Sequence, residues 1–318
     1  RYMHTTGASL FFAVVYLHMF RGLLYGSYQK PKELVWIFGC TIYLAMMAEG
    51  FLGYVLPYGQ MSYWGAQVII SLFGAIPYIG ESLELWVRGD YYISGITVSR
   101  FFALHVVALP LVLIALVFLH LVALHEVGAG NPEGVDIEEH LDEDGIPLDS
   151  VPFFPYKVLN ALVAIGVFMT VFSIIMFFFP EGGGYFIEMA NFQEANPLVT
   201  PDHIAPVWYY APFYTMLRAI PDPLGGLIVM AAGVAIFFIV PWLDRSKVAS
   251  IRYKGIYSKI AITMFGVSFL TLGYLGTVGV TEVRKIMSVV CTIIYFAFFL
   301  LMPIYTKYET TKEVPKRL

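Results

Sequence analysis

Long apolar stretches dominate this 318-residue chain and set the strongest limit on its fold. Hydrophobic residues make up 58% and charged residues 13%, whereas soluble domains carry about 25% charged residues. Only helices and closed barrels satisfy their backbone polar groups inside a bilayer. Stretches of about 20 apolar residues indicate helices, and the sequence contains seven: 4–26, 34–56, 101–125, 157–179, 223–243, 257–279 and 287–306. We therefore expect an all-α, polytopic transmembrane helix bundle.

Basic residues between the predicted spans indicate how the bundle is oriented. They concentrate after the first span, between the fifth and sixth, and after the seventh: Arg21, Lys30, Lys32, Arg245, Lys247, Arg252, Lys254, Lys259, Lys307, Lys312, Lys316 and Arg317. Short cytoplasmic loops carry an excess of Lys and Arg, so these segments are expected on the cytoplasmic side, or on the matrix side in an organelle. The acidic loop 127–150 falls on the same inner side, and the first residue falls outside.

Four histidines lie in two of these spans, His4 and His18 in the first and His105 and His120 in the third. The intervals are 14 and 15 residues. At about 100° and 1.5 Å per residue, the members of each pair share one helix face and lie about 21 to 22 Å apart. Two such helices side by side set His4 opposite His105 and His18 opposite His120, which gives two bis-imidazole sites suited to haem iron. Histidines that only pack, or that form a proton relay, are the alternatives.

Two glycines in the second span, Gly39 and Gly53, are also 14 residues apart and lie near one helix face. A missing side chain lets a flat macrocycle approach the backbone, although close helix packing gives the same pattern. The sequence has no Walker or dinucleotide-binding glycine motif and no basic patch interleaved with aromatic residues. We therefore expect no nucleotide or nucleic-acid partner.

Two segments on the outer side are too interrupted to be lipid-facing spans. The segment at about 57–78 is amphipathic and is expected to lie along the membrane surface, and segment 191–221 is rich in proline and aromatic residues and predicts a re-entrant fold. Beside an outer haem, the two segments would enclose a hydrophobic ligand pocket. We divide the chain into an N-terminal haem-binding bundle, 1–150, and a C-terminal transmembrane domain, 151–318.

Five short motifs carry a family resemblance: RYMHTTGAS at 1–9, RGLLYGSY at 21–28, GYVLPYGQMSYWGA at 53–66, RFFALH at 100–105 and PVWY at 206–209. Together they resemble cytochrome b of the quinol:cytochrome c oxidoreductases. The resemblance begins at the family's second span, so seven of its eight spans are expected here. It implies two haems b in a four-helix core, quinone as substrate, and a homodimeric complex with a Rieske-type iron–sulfur protein and a cytochrome c-type subunit.

The resemblance assigns the four histidines to two haems. His4 and His105 would hold the outer, low-potential haem, and His18 and His120 the inner, high-potential haem. Three arginines near these ligands are expected to pair with haem propionates: Arg1, Arg21 and Arg100. Arginines that only extend to the membrane surface are the alternative.

The implied reaction is a protonmotive Q cycle. Quinol is oxidised in the outer pocket, and one electron passes to the iron–sulfur protein. The other electron crosses the membrane through the haems and reduces quinone in an inner pocket. Protons are therefore released outside and taken up inside.

An acid usual in this family is missing from the outer pocket. Many relatives have Glu in the second position of the Pro-x-Trp-Tyr motif, which here reads Pro206, Val207, Trp208 and Tyr209. An ionisable side chain in an apolar span calls for a function, and Glu49 is such a residue at the outer end of the second span. We predict that Glu49 takes over the proton role and that Tyr54 and Tyr214 line the pocket. A helix-end carboxylate in water is the alternative.

Two residues mark the expected inner quinone pocket. His125 lies five residues beyond His120 and matches the family's quinone-facing histidine. Asn160 aligns with a family acid, and an amide forms hydrogen bonds but delivers no proton, so Lys157 or water is expected to contribute. A histidine that only lies at the membrane interface is the alternative.

The interval between His105 and His120 is one residue longer than in mitochondrial members of the family. Plastid-type and some bacterial members share the longer interval, and the unsplit C-terminal part favours a bacterial inner-membrane enzyme. The mitochondrial inner membrane is the alternative location. Three other functions stay open at this point: a plastid-like relative with another electron acceptor, a haem-free membrane transporter, and a purely structural membrane subunit.

Overall fold

Helices make up nearly all regular structure in the computed structural model, which describes all 318 residues. The first part of the chain holds six α-helices: α1 (Tyr2–Leu24), α2 (Glu33–Val55), α3 (Gln60–Ser71), α4 (Gly80–Arg88), α5 (Gly95–Ala103) and α6 (Leu109–Val127). The second part holds seven: α7 (Val158–Phe178), α8 (Ala211–Ala219), α9 (Pro223–Ala235), α10 (Val240–Leu243), α11 (Ile256–Thr277), α12 (Glu282–Leu300) and α13 (Met302–Tyr308). No β-strand is present beyond two isolated bridges.

Seven helical segments are long and apolar enough to cross a membrane, which confirms the predicted all-α polytopic bundle. The third span begins at Gly95, six residues before the predicted start. The side chain of Ser94 explains this difference, because it caps the helix by accepting a hydrogen bond from the backbone N–H of Ile96. The last span begins early for the same reason, because the side chain of Thr281 accepts a hydrogen bond from the backbone N–H of Arg284.

A π-helical turn, Leu104–Ala108, joins α5 to α6 within the third span and contains His105. Pro110 lies two residues beyond the turn, and a proline has no N–H to donate to the carbonyl four residues earlier. The wider π turn accommodates the backbone hydrogen bond that Pro110 cannot form. Such turns concentrate at functional sites, and this one aims an ionisable side chain into the bundle.

The main hydrophobic core lies where α1, α2, α8, α11 and α12 meet. Each helix contributes a large buried side chain: Phe12, Tyr43, Phe213, Phe265 and Tyr295. In contrast, α7 buries no residue and α6 buries only Ala123. Their exposed surfaces are apolar, as is typical of helices that face lipid.

The loops predicted on the inner side meet at one end of the bundle. Asp244, which follows α10, accepts hydrogen bonds from the hydroxyl of Tyr28 at 2.7 Å and from Gln29 Nε2 at 3.0 Å. It also forms a buried ion pair with Lys254, with 2.5 Å between Nζ and Oδ2. The carboxylate therefore ties the α1–α2 loop to the α10–α11 loop.

At the opposite, outer end, α3 lies against the segment that follows α7. The backbone N–H of Gln60 donates to the carbonyl of Gln193 at 3.0 Å, and the backbone N–H of Asn196 donates to Gln60 Oε1 at 2.7 Å. The backbone N–H of Ser62 donates to Asn191 Oδ1 at 2.8 Å. These bonds join the two outer segments into one roof.

Candidate functional site

The four histidines form two facing pairs between α1 and the third span. The ring centroids of His4 and His105 are 6.1 Å apart and those of His18 and His120 are 6.4 Å apart. Two metal–nitrogen bonds of about 2 Å and two ring radii of about 1.2 Å give a spacing of about 6.4 Å for two imidazoles on one metal. Each pair therefore has the separation that a shared metal requires. The role of these histidines as haem ligands stays a prediction.

The donor set fits haem better than a bare metal ion. No group of three or more His, Cys, Asp or Glu side chains is arranged so that it could hold a metal ion. A zinc-type ion needs three or four protein ligands, whereas a porphyrin brings four nitrogens and leaves two axial positions for a histidine pair.

Glu49 orients the ring of His105. Nδ1 of His105 lies 3.0 Å from the carbonyl oxygen of Glu49 and 3.0 Å from its Oε1. Nδ1 therefore donates the hydrogen bond, and the lone pair on Nε2 is left free to bind a metal. Hydrogen bonds of this kind hold imidazole ligands in place and raise their basicity.

The two glycines predicted to face the haems lie against the histidine rings. A Cβ on Gly53 would lie 2.9 Å from both ring nitrogens of His105 and closer still to Cε1. A Cβ on Gly39 would lie 3.5 Å from Cε1 of His120, an ordinary contact distance. The outer pair is therefore the more tightly enclosed of the two.

The three arginines predicted to bind propionates lie apart from one another. Arg1 lies 5.3 Å above the ring of Phe192, Arg21 donates to the carbonyl of Gly130 at 3.1 Å, and Arg100 donates to the carbonyl of Trp86 at 2.9 Å. None pairs with a side-chain carboxylate, so each guanidinium keeps N–H donors for an anion. Their propionate role stays a prediction.

A cavity of about 680 Å³ opens beside the outer histidine pair, a size typical of ligand sites, which span about 300 to 1,000 Å³. His4 and His105 line one side of it. Five of the residues predicted for the outer quinol pocket also line it: Tyr54, Pro206, Val207, Trp208 and Tyr209. The hydroxyl of Tyr54 is buried and has no hydrogen-bond partner, so it is available to a ligand.

The motif segment is held firmly against α1. The ring of Tyr209 stacks on Phe12 with 3.8 Å between centroids, and its carbonyl accepts a hydrogen bond from the hydroxyl of Tyr16. Trp208 Nε1 donates to Ser9 Oγ at 3.3 Å. The cavity wall and the helix that carries His4 are therefore one packed unit.

Glu49 and Tyr214, both predicted for the outer pocket, do not line this cavity. The carboxylate of Glu49 faces His105, because its position on α2 directs it toward the third span. The hydroxyl of Tyr214 donates to the carbonyl of Ile204 at 3.2 Å, and the guanidinium of Arg218 lies 4.5 Å above its ring.

Two ionisable residues that the sequence reasoning missed also line the cavity, Glu188 and His203. Burial raises the pKa of Glu188 above its usual range, and the backbone N–H of Ala190 and the side chain of His203 oppose this shift. A signal was present in the sequence, because Glu188 is a lone carboxylate between apolar and aromatic neighbours in YFIEMANF, 185–192.

The inner pocket is less defined. His125 is exposed near the end of α6, and Asn160 is exposed near the start of α7. Both lie toward the inner end of the bundle and away from the outer cavity. Their quinone-binding role stays a prediction.

Two family models match the chain. One, described as cytochrome b/b6/petB, matches residues 1–128, and the other, described as cytochrome b(C-terminal)/b6/petD, matches residues 194–296. Cytochrome b of Allochromatium vinosum is 54% identical over 326 residues, which cover 100% of this chain and 78% of the relative. Cytochrome b of Rickettsia prowazekii is 46% identical over 319 residues, with 100% and 77% covered.

A solved structure supports the same assignment. A chain of a structure titled "Hyperthermophilic respiratory Complex III" superimposes with a TM-score of 0.89 at 35% identity, over 97% of this chain and 79% of that one. The transporter and structural-subunit alternatives are therefore wrong. The chain belongs to the cytochrome b family of respiratory complex III, which implies quinol oxidation and electron transfer in the respiratory chain.

Proposed function

We propose that this chain is the two-haem catalytic subunit of a quinol:cytochrome c oxidoreductase that operates a protonmotive Q cycle. The observation that carries this proposal is the pair of facing imidazole sets, spaced 6.1 and 6.4 Å, at two levels of the same helices. His4 and His105 would hold the outer, low-potential haem, and His18 and His120 the inner, high-potential haem. Haem b, when bound, supplies reversible one-electron chemistry at each level.

The outer cavity is the proposed site of quinol oxidation. The unpartnered hydroxyl of Tyr54 would donate a hydrogen bond to an oxygen of the quinone ring. Pro206, Val207 and Trp208 supply apolar walls, and the stacked ring of Tyr209 keeps them in place. An apolar pocket with few polar groups orients a flat ligand and excludes water.

We propose that Glu49 orients His105, because its backbone carbonyl oxygen and its carboxylate Oε1 each lie 3.0 Å from Nδ1 of that ring. The proton role predicted for Glu49 from the sequence stays a prediction, and the cavity lining does not support it. Tyr214 is likewise proposed to support the segment before the motif, through the carbonyl of Ile204, rather than to touch quinol.

On the inner side we propose that His125 and Asn160 bind quinone beside the His18–His120 pair. Their position at the inner ends of α6 and α7 supports this assignment. The exposed Lys157 lies one turn before Asn160 and would supply the positive charge that a reduced quinone attracts.

We also propose the remaining components of the complex. A Rieske-type iron–sulfur protein and a cytochrome c-type subunit would take the other electron, and two copies of the complex would form a homodimer surrounded by membrane lipid. The bacterial sources of the relatives support the bacterial inner membrane as the location.

A dithionite-reduced minus oxidised spectrum, with a redox titration and a haem-to-protein ratio, tests the proposal on the purified membrane protein. We expect two b-type components of different potential, at two haems per chain. Intact protein with one haem or none would overturn the two-haem assignment. Turnover with quinol and cytochrome c then tests the reaction itself.

A further inference from the structure

Oxidation of a quinol needs a group that accepts its hydroxyl protons within the cavity. A charged intermediate in an apolar pocket is costly without such a group, and a well-placed general base accelerates proton transfer by about 100- to 10,000-fold. The motif residue Val207 lines the cavity but cannot accept a proton. Another side chain has to perform this step.

Glu188 is the only Asp or Glu among the residues that line the cavity. It lies in the segment between α7 and the motif, next to the roof residue Asn191, and is half-buried. Its carboxylate takes part in no ion pair. It is therefore free to bind a proton, unlike Glu49, which is engaged by His105.

The charged surroundings of Glu188 suit a proton acceptor. The other ionisable side chains lining the cavity, tyrosines aside, are Arg1, His4, His105 and His203. All of them are neutral or positive, so no second carboxylate competes for the proton. Burial brings the pKa of Glu188 closer to neutral pH, and the presence of His203 limits that rise.

We propose that Glu188 accepts a hydroxyl proton from quinol in the outer cavity and so replaces the acid that Val207 lacks. This inference rests on the proposed function of the cavity. The quinol O–H bond breaks, and an O–H bond forms on the carboxylate of Glu188. In the proposed Q cycle one electron passes to the iron–sulfur protein and the other to the haem path, and the second hydroxyl proton is released on the outer side.

The exposed side of the same segment gives the proton a way out. His203 lines the cavity and is itself exposed to the outer solvent. Once protonated, Glu188 would release its proton to water or to His203, which restores the carboxylate for the next turnover.

The test compares Glu188→Gln with wild type in membranes that contain the assembled complex. We expect kcat for quinol oxidation to fall about 100-fold, at the lower end of the range for a general base, with KM and haem content unchanged. Because a protonated Glu188 accepts nothing, wild-type kcat should fall as the pH drops through its pKa, and the variant should lose this acid limb. Glu188→Asp should recover part of the rate.

Glu181→Gln is the matched control, since Glu181 is an exposed carboxylate of the same segment outside the cavity. Its kcat and pH profile should equal those of wild type. A second readout does not depend on turnover of the variant: infrared difference spectra recorded on adding quinol should contain a carboxyl C=O band in wild type and Glu181→Gln that is absent in Glu188→Gln.

The outcomes separate this inference from the proposed function. Wild-type protein that contains no haem, or that does not oxidise quinol, would overturn both the proposed function and the role of Glu188. If wild type turns over and Glu188→Gln keeps its kcat, pH profile and infrared band, Glu188 is not the acceptor. If only Glu49→Gln loses the acid limb, the sequence-based assignment of Glu49 is correct instead.

Discussion

Replacing Gly53 with alanine should remove the outer haem and leave the inner one. The added Cβ would lie 2.9 Å from both ring nitrogens of His105 and closer still to Cε1, at least about 0.6 Å inside the usual separation of about 3.5 Å between non-bonded heavy atoms. Since metal–ligand distances tolerate deviations of only about 0.2 Å, a ring displaced by about 0.6 Å no longer meets a metal shared with His4. Moving away from α2 also costs the ring its hydrogen bond to Glu49, worth about 0.5 to 1.5 kcal/mol.

The assay is the haem-to-protein ratio together with a redox titration of the purified variant. We expect the ratio to fall from two toward one, with loss of the low-potential component. Gly39→Ala is a comparison at the inner pair, where Gly39 is itself predicted to face a haem: its Cβ would lie 3.5 Å from Cε1 of His120, so that ring does not have to move. Gly166→Ala, whose Cβ would meet nothing within 4 Å, controls for the change in helix propensity. Two haems with unchanged potentials in Gly53→Ala would refute the argument.

Three further predictions concern the inner pair and the bundle. His18→Leu should lose the high-potential component and keep the other, and a spectrum with both components intact would show that His18 is no ligand. Lys254→Met should destabilise the protein by about 3 to 5 kcal/mol, because it leaves Asp244 buried without its partner; thermal unfolding in detergent measures this. Burial raises the pKa of Asp244, but Lys254 outweighs burial and holds that pKa below its usual range. Wild type should therefore lose this stability as the pH falls below about 4. Asp244→Asn should lack that acid-dependent loss. Gly276→Ala places a Cβ 2.8 Å from the carbonyl carbon of Ala211 and should cost about 1 to 3 kcal/mol, whereas Gly273→Ala, with its nearest contact at 3.7 Å, should leave the melting temperature unchanged.

The parts of the fold that follow a regular period could be read from the sequence. Apolar length defined the seven spans, and the starts of the third and last spans moved because the capping side chains of Ser94 and Thr281 extend a helix beyond its apolar residues. The pairing of His4 with His105 and of His18 with His120 followed from helical intervals, because 14 or 15 residues return a side chain to nearly the same face.

The cavity was harder to predict, because its lining depends on contacts between segments distant in sequence. Glu49 could be assigned to the outer end of α2, but the spacing does not say whether it faces the cavity or His105. Glu188 lies in a loop after three glycines, and Gly182, Gly183 and Gly184 adopt positive φ angles that no periodic pattern indicates. Side chains in such loops are located by their partners, here the roof contacts of Asn191.

The stacking of Tyr209 on Phe12 has a consequence for how the molecule is assembled. This contact, the bond from Tyr16 to the carbonyl of Tyr209, and the bond from Trp36 Nε1 to the carbonyl of Phe237 at 2.7 Å all join residues that precede the α6–α7 loop to residues that follow it. The two stretches thus recognise each other through side-chain surfaces. The peptide connection between α6 and α7 ensures that the two stretches are synthesised in equal number. The contacts that hold the bundle together do not depend on this connection, and two separate polypeptides would form them equally well.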